Sequence, residues 1–209
     1  MAAPVTIVDE VEVIKGYDPK KLTAALKLGV KVDLSANADW LADKYDCILG
    51  AFARAMRQLP DTLLPQKLPW RPQSVRGFLA HVPGDVELAW VSRDRSTVSF
   101  EQMVAHYNGV KHLARIDDLA RYCDGVRTNV TRFLKSGDTV ALNHIVNAHK
   151  GGNVTILELL NFSLLHATHH LKQLYWLMQN KLDITLKAPA TESDMEGIST
   201  PSELFEMES

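Results

Sequence analysis

Cysteine is scarce in this chain, with two in 209 residues. Cys47 and Cys123 form neither a Cys-x-x-Cys pair nor a secreted disulfide framework. Both lie among apolar neighbours in segments that read as helix, so they are expected to be reduced core thiols. An excess of either charge is also missing: 23 Lys and Arg against 25 Asp and Glu leave a formal net charge of −2. That excludes the basic footprint of a nucleic-acid binder, and Lys20-Lys21 is too small a cluster to restore it. No apolar run approaches the roughly 20 residues needed to cross a bilayer. The opening MAAPVTIVDEVEV carries acids where a signal peptide needs an apolar stretch. Repeats and low-complexity segments are absent as well. The expectation is a cytoplasmic protein acting on a small molecule, with no nucleic-acid or membrane partner.

What is present is enough apolar residue, 46% of the chain, to bury a real core in one domain with extensions. Residues 1–34 read as an N-terminal arm: VTIVDEVEV alternates as a short strand would, and Pro19 could open a short helix. From Ser35 a helical stripe emerges, formed by Trp40, Leu41, Ile48, Leu49, Phe52 and Met56. It predicts a helix over about 36–58, capped by Ser35 or Asn37 and stopped by Pro60. Pro60, Pro65, Pro69 and Pro72 then predict a stiff, extended, non-helical connection. Ser74 is placed to cap a second helix carrying Val75, Phe78, Leu79 and Val82, with a kink or break expected at Pro83-Gly84.

Ser99-Phe100-Glu101-Gln102 has the capping-box pattern and predicts a short helix over about 100–112. A long helix is expected over Asp117–Lys135, closed by Gly137. The strongest signal follows. Thr155-Ile156-Leu157-Glu158 is a second capping box, opening a helix over about 156–180 after a flexible Gly151-Gly152 turn. The four long helices predict an all-α four-helix bundle over 35–182, with a short extra helix. An acidic C-terminal tail over 183–209 is expected to be disordered or docked on a partner subunit.

Three of the eight histidines fall within five positions of the last helix, at 166, 169 and 170. His166 and His170 are four apart, so they stand on one helical face and can converge on one ion. The same pair could also be two ordinary core histidines, and two ligands do not complete a site. His169 points about 100° away, toward the surface or a supporting role. A third ligand must come from elsewhere. His106 and His112 lie on the short helix, and His144 and His149 lie in the loop before the last one. His81 stands apart: it lies in the apolar stretch Phe78-Leu79-Ala80-His81-Val82, seven residues after its cap, and can point into the bundle axis. Three neutral ligands with open positions is how catalytic metal sites are built.

Two segments carry a family likeness. Trp70-Arg71-Pro72-Gln73-Ser74-Val75-Arg76-Gly77-Phe78-Leu79-Ala80-His81 and His166-Ala167-Thr168-His169-His170-Leu171-Lys172-Gln173 resemble two motifs of the DinB-like superfamily, which includes the YfiT-like proteins. Gly152–Glu158 is similar to the family's entry into its last helix, and the likeness covers roughly 36–182. The chain departs from the family at Leu171-Lys172, where many members have Arg-Gly. The resemblance implies a four-helix-bundle metalloprotein whose three metal-binding histidines fall on His81, His166 and His170. It implies zinc or nickel, and in some members transfer or addition chemistry with a low-molecular-weight thiol as cosubstrate.

The expected function is that of a metal-dependent transferase or hydrolase activating such a thiol, or water. The alternative is a non-catalytic bundle binding metal or ligand for stability, sensing or dimer assembly. Gln173, one turn past His170, is placed to orient a ligand histidine, or is a plain interhelical amide. Asp43, Tyr45, Asp85 and Glu87 are candidate acid–base groups that read more readily as solvated surface. Trp40, Trp70, Trp90 and Trp176 are expected to anchor core or loops. Phe162 and Trp176 offer spare apolar surface for a homodimer.

Overall fold

The computed structural model describes residues 5–9, 12–15, 25–27, 37–148 and 152–205. Four long helices hold most of the buried apolar residues. Helix α1 (Ala38–Met56) turns Leu41, Tyr45, Ile48, Leu49, Phe52 and Met56 inward, all of them buried. Asn37 occupies the cap position without a side-chain cap bond, and Ser35 lies outside the described residues. Trp40 departs from the expected stripe. It is 36% exposed, at the rim, where Gly197 of the C-terminal segment passes over it. A Cβ at Gly197 would lie 3.1 Å from the indole, and its φ of +81° is one that side chains other than glycine rarely adopt.

The proline-rich connection is not the extended strut expected. Pro60 starts a 3₁₀ turn over Asp61–Leu63, and the chain then folds back on itself. Leu68 N–H donates to the Gln73 carbonyl and Val75 N–H to that of Gln66. The prolines preset φ without forbidding turns, and burial of Leu63, Leu64 and Leu68 favours folding back.

Ser74 caps helix α2 (Val75–Val91), its Oγ accepting from Gly77 N–H at 3.1 Å. The helix runs through Pro83 without the expected break. Pro83 cannot donate to the Leu79 carbonyl, a loss of about 3 kcal/mol in an isolated helix. Burial of Val82, Val86, Leu88 and Ala89 on both sides of it offsets that loss.

Helix α3 (Phe100–Gly109) starts on the expected capping box and buries none of its residues fully. Its approach to α2 depends on Gly84, where a Cβ would come within 3.1 Å of the Tyr107 ring. Helix α4 (Ile116–Leu134) ends one turn before Gly137, which adopts φ +73° as the chain reverses. A short helix α5 (Thr139–Leu142) precedes helix α6 (Ile156–Lys181), which opens on the second expected capping box. Helix α1 packs on α4 and α6, and α2 packs on the same two, around one apolar core.

Strands were expected only near the N-terminus, where β1 (Val5–Val8) pairs antiparallel with β2 (Glu12–Lys15). Most of the helix suggested after Pro19 lies outside the described residues. The entry to α6, read as a flexible turn, belongs to a three-stranded sheet. β3 (Thr97–Val98) pairs parallel with β4 (Ile145–Ala148), which pairs antiparallel with β5 (Gly152–Thr155). The described residues are therefore mostly helical, with two small sheets among them. The strands are too short for alternation to announce them.

The tail differs most from expectation. After a short helix α7 (Glu192–Met195) it docks on the chain itself. Lys44 Nζ donates to the Asp194 carbonyl and Lys172 Nζ to Thr200 Oγ1. Phe205 seats its ring 4.7 Å from both Trp70 and Trp176. An isolated Leu204-Phe205 in a polar stretch is thus an anchor, and Trp176 is covered by the tail. Cys123 is buried as expected, whereas Cys47 is only half-buried; both are free. No helix among the described residues is long and apolar enough to cross a membrane.

Candidate metal centre

Helices α2 and α6 lie against each other, and their packing brings together the three histidines singled out by spacing. His81 Nε2 lies 3.1 Å from His166 Nε2, which lies 2.9 Å from His170 Nε2. Two imidazole nitrogens bonded to one ion at about 2.0–2.1 Å lie about 2.9–3.4 Å apart at tetrahedral or right-angle geometry. The three histidines are thus close enough to hold an ion. His170 is 3% exposed. The His81 and His166 side chains keep 20% and 35%, so the cluster opens toward solvent on the His166 side.

Hydrogen-bond partners determine where the protons sit. Gln173 Nε2 faces the Leu204 carbonyl at 2.8 Å, and a carbonyl can only accept. The Gln173 oxygen is therefore the atom 2.6 Å from His170 Nδ1, and that nitrogen must donate. His170 carries its proton on Nδ1 and presents a bare Nε2 to the cluster. Asp85 stands beside His166, its Oδ2 3.2 Å from Nδ1, so its charge favours a proton on that nitrogen without a hydrogen bond fixing it there. With the rings neutral, the 2.9 Å contact needs either a proton on His166 Nε2 or a cation between the two nitrogens. A single proton on His166 Nε2 points one way and serves only one of its two neighbours fully. A cation relieves both contacts. Burial, with the neighbouring His166 second, pushes the His170 pKa down to about 3, keeping it the neutral base a ligand must be.

His169 stands beside the amide, its Nε2 accepting from Gln173 Nε2 at 3.1 Å. One amide thus ties His169, His170 and the tail together. Asp85, read as surface from sequence, instead belongs to the site. Its Oδ2 also lies 3.5 Å from His81 Nε2, and Tyr107 donates to its Oδ1. The i,i+4 spacing of His81 and Asp85 could have signalled this; Tyr107, from α3, could not be found that way.

Glu87 is likewise half-covered. Tyr122 donates to its Oε2 at 2.6 Å, and His106 Nε2 lies 3.1 Å away. Burial pushes the Glu87 carboxyl up, but the bonds from His106 and Tyr122 outweigh it and leave the pKa lowered. Because the folded state holds the proton less tightly than the unfolded chain, Glu87 stabilises above the ordinary carboxyl range. That contribution disappears as pH falls through the lowered value. Urea titrations at pH 7 and pH 3 should therefore show Glu87→Gln losing less stability to acid than wild type. Equal acid losses would remove Glu87 from the account.

Tyr45 is no surface group either: it is fully buried and donates to the Leu160 carbonyl at 2.5 Å. Asp43 is exposed and pairs with Lys135. Among the described residues the remaining histidines stand away from the cluster. His112 bonds the Gly109 carbonyl, His144 bonds that of Arg95, and His149 lies outside the described residues.

No protein-family model matches this chain, and no curated protein or solved structure matches it either.

Proposed function

We propose that this chain is a DinB-like or YfiT-like four-helix-bundle metalloenzyme that binds one divalent ion, zinc or nickel, through His81, His166 and His170. The observation carrying the metal reading is the convergence of the three Nε2 atoms, with His166 3.1 Å from His81 and 2.9 Å from His170, and with His170 held by Gln173 in the tautomer that leaves its Nε2 bare. The pairwise packing of α1, α2, α4 and α6 supports the bundle, and the two quoted motifs support the family. A bound ion supplies Lewis acidity that makes a low-molecular-weight thiol, or water, nucleophilic at neutral pH.

The chain's own groups do the rest. Gln173 holds His170 in the tautomer that leaves Nε2 bare, Asp85 places its charge beside His166, and the partial exposure of His166 leaves a route for a small molecule. Tyr107 keeps the Asp85 carboxylate in place. The accessible face favours turnover over the non-catalytic alternative, in which the histidines would be sealed beneath Trp90 or Trp176. Trp176 instead packs with Trp70 and Phe205. A homodimer, if formed, would use the exposed Phe162, 46% accessible.

Elemental analysis of tag-free protein, as isolated and after incubation with zinc or nickel, tests the metal. One equivalent per chain is expected, followed by thiol addition to an epoxide or activated alkene that depends on the metal. Well-folded protein that takes up neither ion would overturn the metalloenzyme reading. Bound metal without thiol or water chemistry would leave the non-catalytic bundle. Asp85→Asn should weaken zinc binding by about 10–100-fold, the usual effect of losing a group that orients a ligand histidine. A chelator competition titration measures it, and an unchanged constant would show that Asp85 does not orient His166.

A further inference from the structure

We infer that the C-terminal segment is a working part of the metal centre, with Leu204 and Phe205 positioning His170 through Gln173. The inference rests on the metal reading above, but its evidence is separate from the three ligands. Gln173 is 2% exposed and could present either end of its amide to His170. Oxygen toward Nδ1 leaves Nε2 bare for a metal. Nitrogen toward Nδ1 would demand the opposite tautomer and cap Nε2 with a proton. The group that decides is the Leu204 backbone carbonyl, 2.8 Å from Gln173 Nε2, because it accepts and never donates. His169 Nε2, 3.1 Å from the same nitrogen, cannot decide, since an imidazole serves as either partner.

Phe205 holds that carbonyl in place. Its ring sits 4.7 Å from Trp70 and 4.7 Å from Trp176. Trp70 in turn packs edge-on against Phe78, whose ring lies 5.3 Å from that of His170. The tail therefore reaches His170 by two routes, one through the amide and one through stacked rings. Farther back it is secured by Thr200 on Lys172 and Gly197 on Trp40. Without this strap Gln173 is free to turn over, and the proton on His170 is no longer assigned.

The test measures zinc affinity by competition with a chromophoric chelator, beside the urea midpoint of the metal-free protein. Phe205→Ala and a chain ended at Ser202 should each bind zinc about tenfold or more weakly. In the Gln173→Glu background either carboxylate oxygen accepts from His170, so the same tail changes should cost little further affinity. That coupling separates positioning from a general loss of stability, which would act alike in both backgrounds. Unchanged zinc binding in the tail variants, or equal losses in both backgrounds, overturns the inference.

Should the tail variants fail to fold, hydrogen exchange on the wild-type chain decides instead. Coupling is reciprocal, so zinc should slow exchange of the amides over 197–205. Exchange indifferent to zinc overturns the inference. A wild-type chain that binds neither zinc nor nickel overturns the metal reading itself, before any tail variant is compared.

Discussion

Replacing any one of His81, His166 or His170 with alanine is expected to release the metal. Zinc held by a full set of protein ligands is worth about 10–16 kcal/mol, so one ligand accounts for about 3–4 kcal/mol, or ~10²–10³-fold in affinity. Dialysed protein should fall from one equivalent of metal to a small fraction in each variant. His106→Ala and His144→Ala are the controls, because those rings bond Glu87 and the Arg95 carbonyl and do not reach the cluster. Equal metal content in wild type and in all three ligand variants would show that any ion present binds elsewhere. His170→Ala has a further use. It removes the partner of the buried Gln173 oxygen, so the metal-free variant should also lose stability, which a urea titration measures.

The largest expected loss of stability lies beside that histidine. Phe78 is fully buried, with ring centroids of Phe52, Trp70 and His170 at 6.3, 6.0 and 5.3 Å. Phe78→Ala removes a ring that helix α2 places where three elements meet. The loss of burial and the cavity together should cost about 3–5 kcal/mol. For a chain of this size that lowers Tm by about 6–20 °C. Thermal unfolding of metal-free protein measures it, and a fall below about 3 °C would mean that the neighbours close the space. Zinc binding should weaken too, because the ring is one wall against which His170 stands. Trp40→Ala makes the contrast: that indole is 36% exposed at the rim, so its loss should cost much less.

Both expectations concern residues visible in the bare sequence, and the reason is local. Helix α6 was legible because a capping box, a leucine stripe and an i,i+4 histidine pair all arise within one helical segment. Helices α1 and α4 were legible in the same way, each to within a few residues. Local rules failed where tertiary packing overrode them. Pro83 argued for a break that the buried residues around it prevent, and four prolines argued for an extended connection that instead folds over Leu63, Leu64 and Leu68. The strands β3, β4 and β5 are too short to show a period, and the parallel pairing of β3 with β4 joins segments some fifty residues apart.

Asp85 and Glu87 looked solvated because nothing in α2 announces Tyr107, His106 or Tyr122, which arrive from α3 and α4. Composition read the tail as disordered or bound to a partner. Its docking depends on a slot between Trp70 and Trp176, residues more than a hundred positions apart.

By itself, the sequence determined helices α1, α4 and α6, the caps at Ser74, Ser99 and Thr155, and the shared face of His166 and His170, because these follow from spacing along one helix. Only the tertiary structure decided that His81 joins the pair, that Asp85 stands beside it, that Gln173 assigns the His170 proton, and that the tail reaches Gln173. Those outcomes depend on which helices pack together, and no repeat along a single element records that.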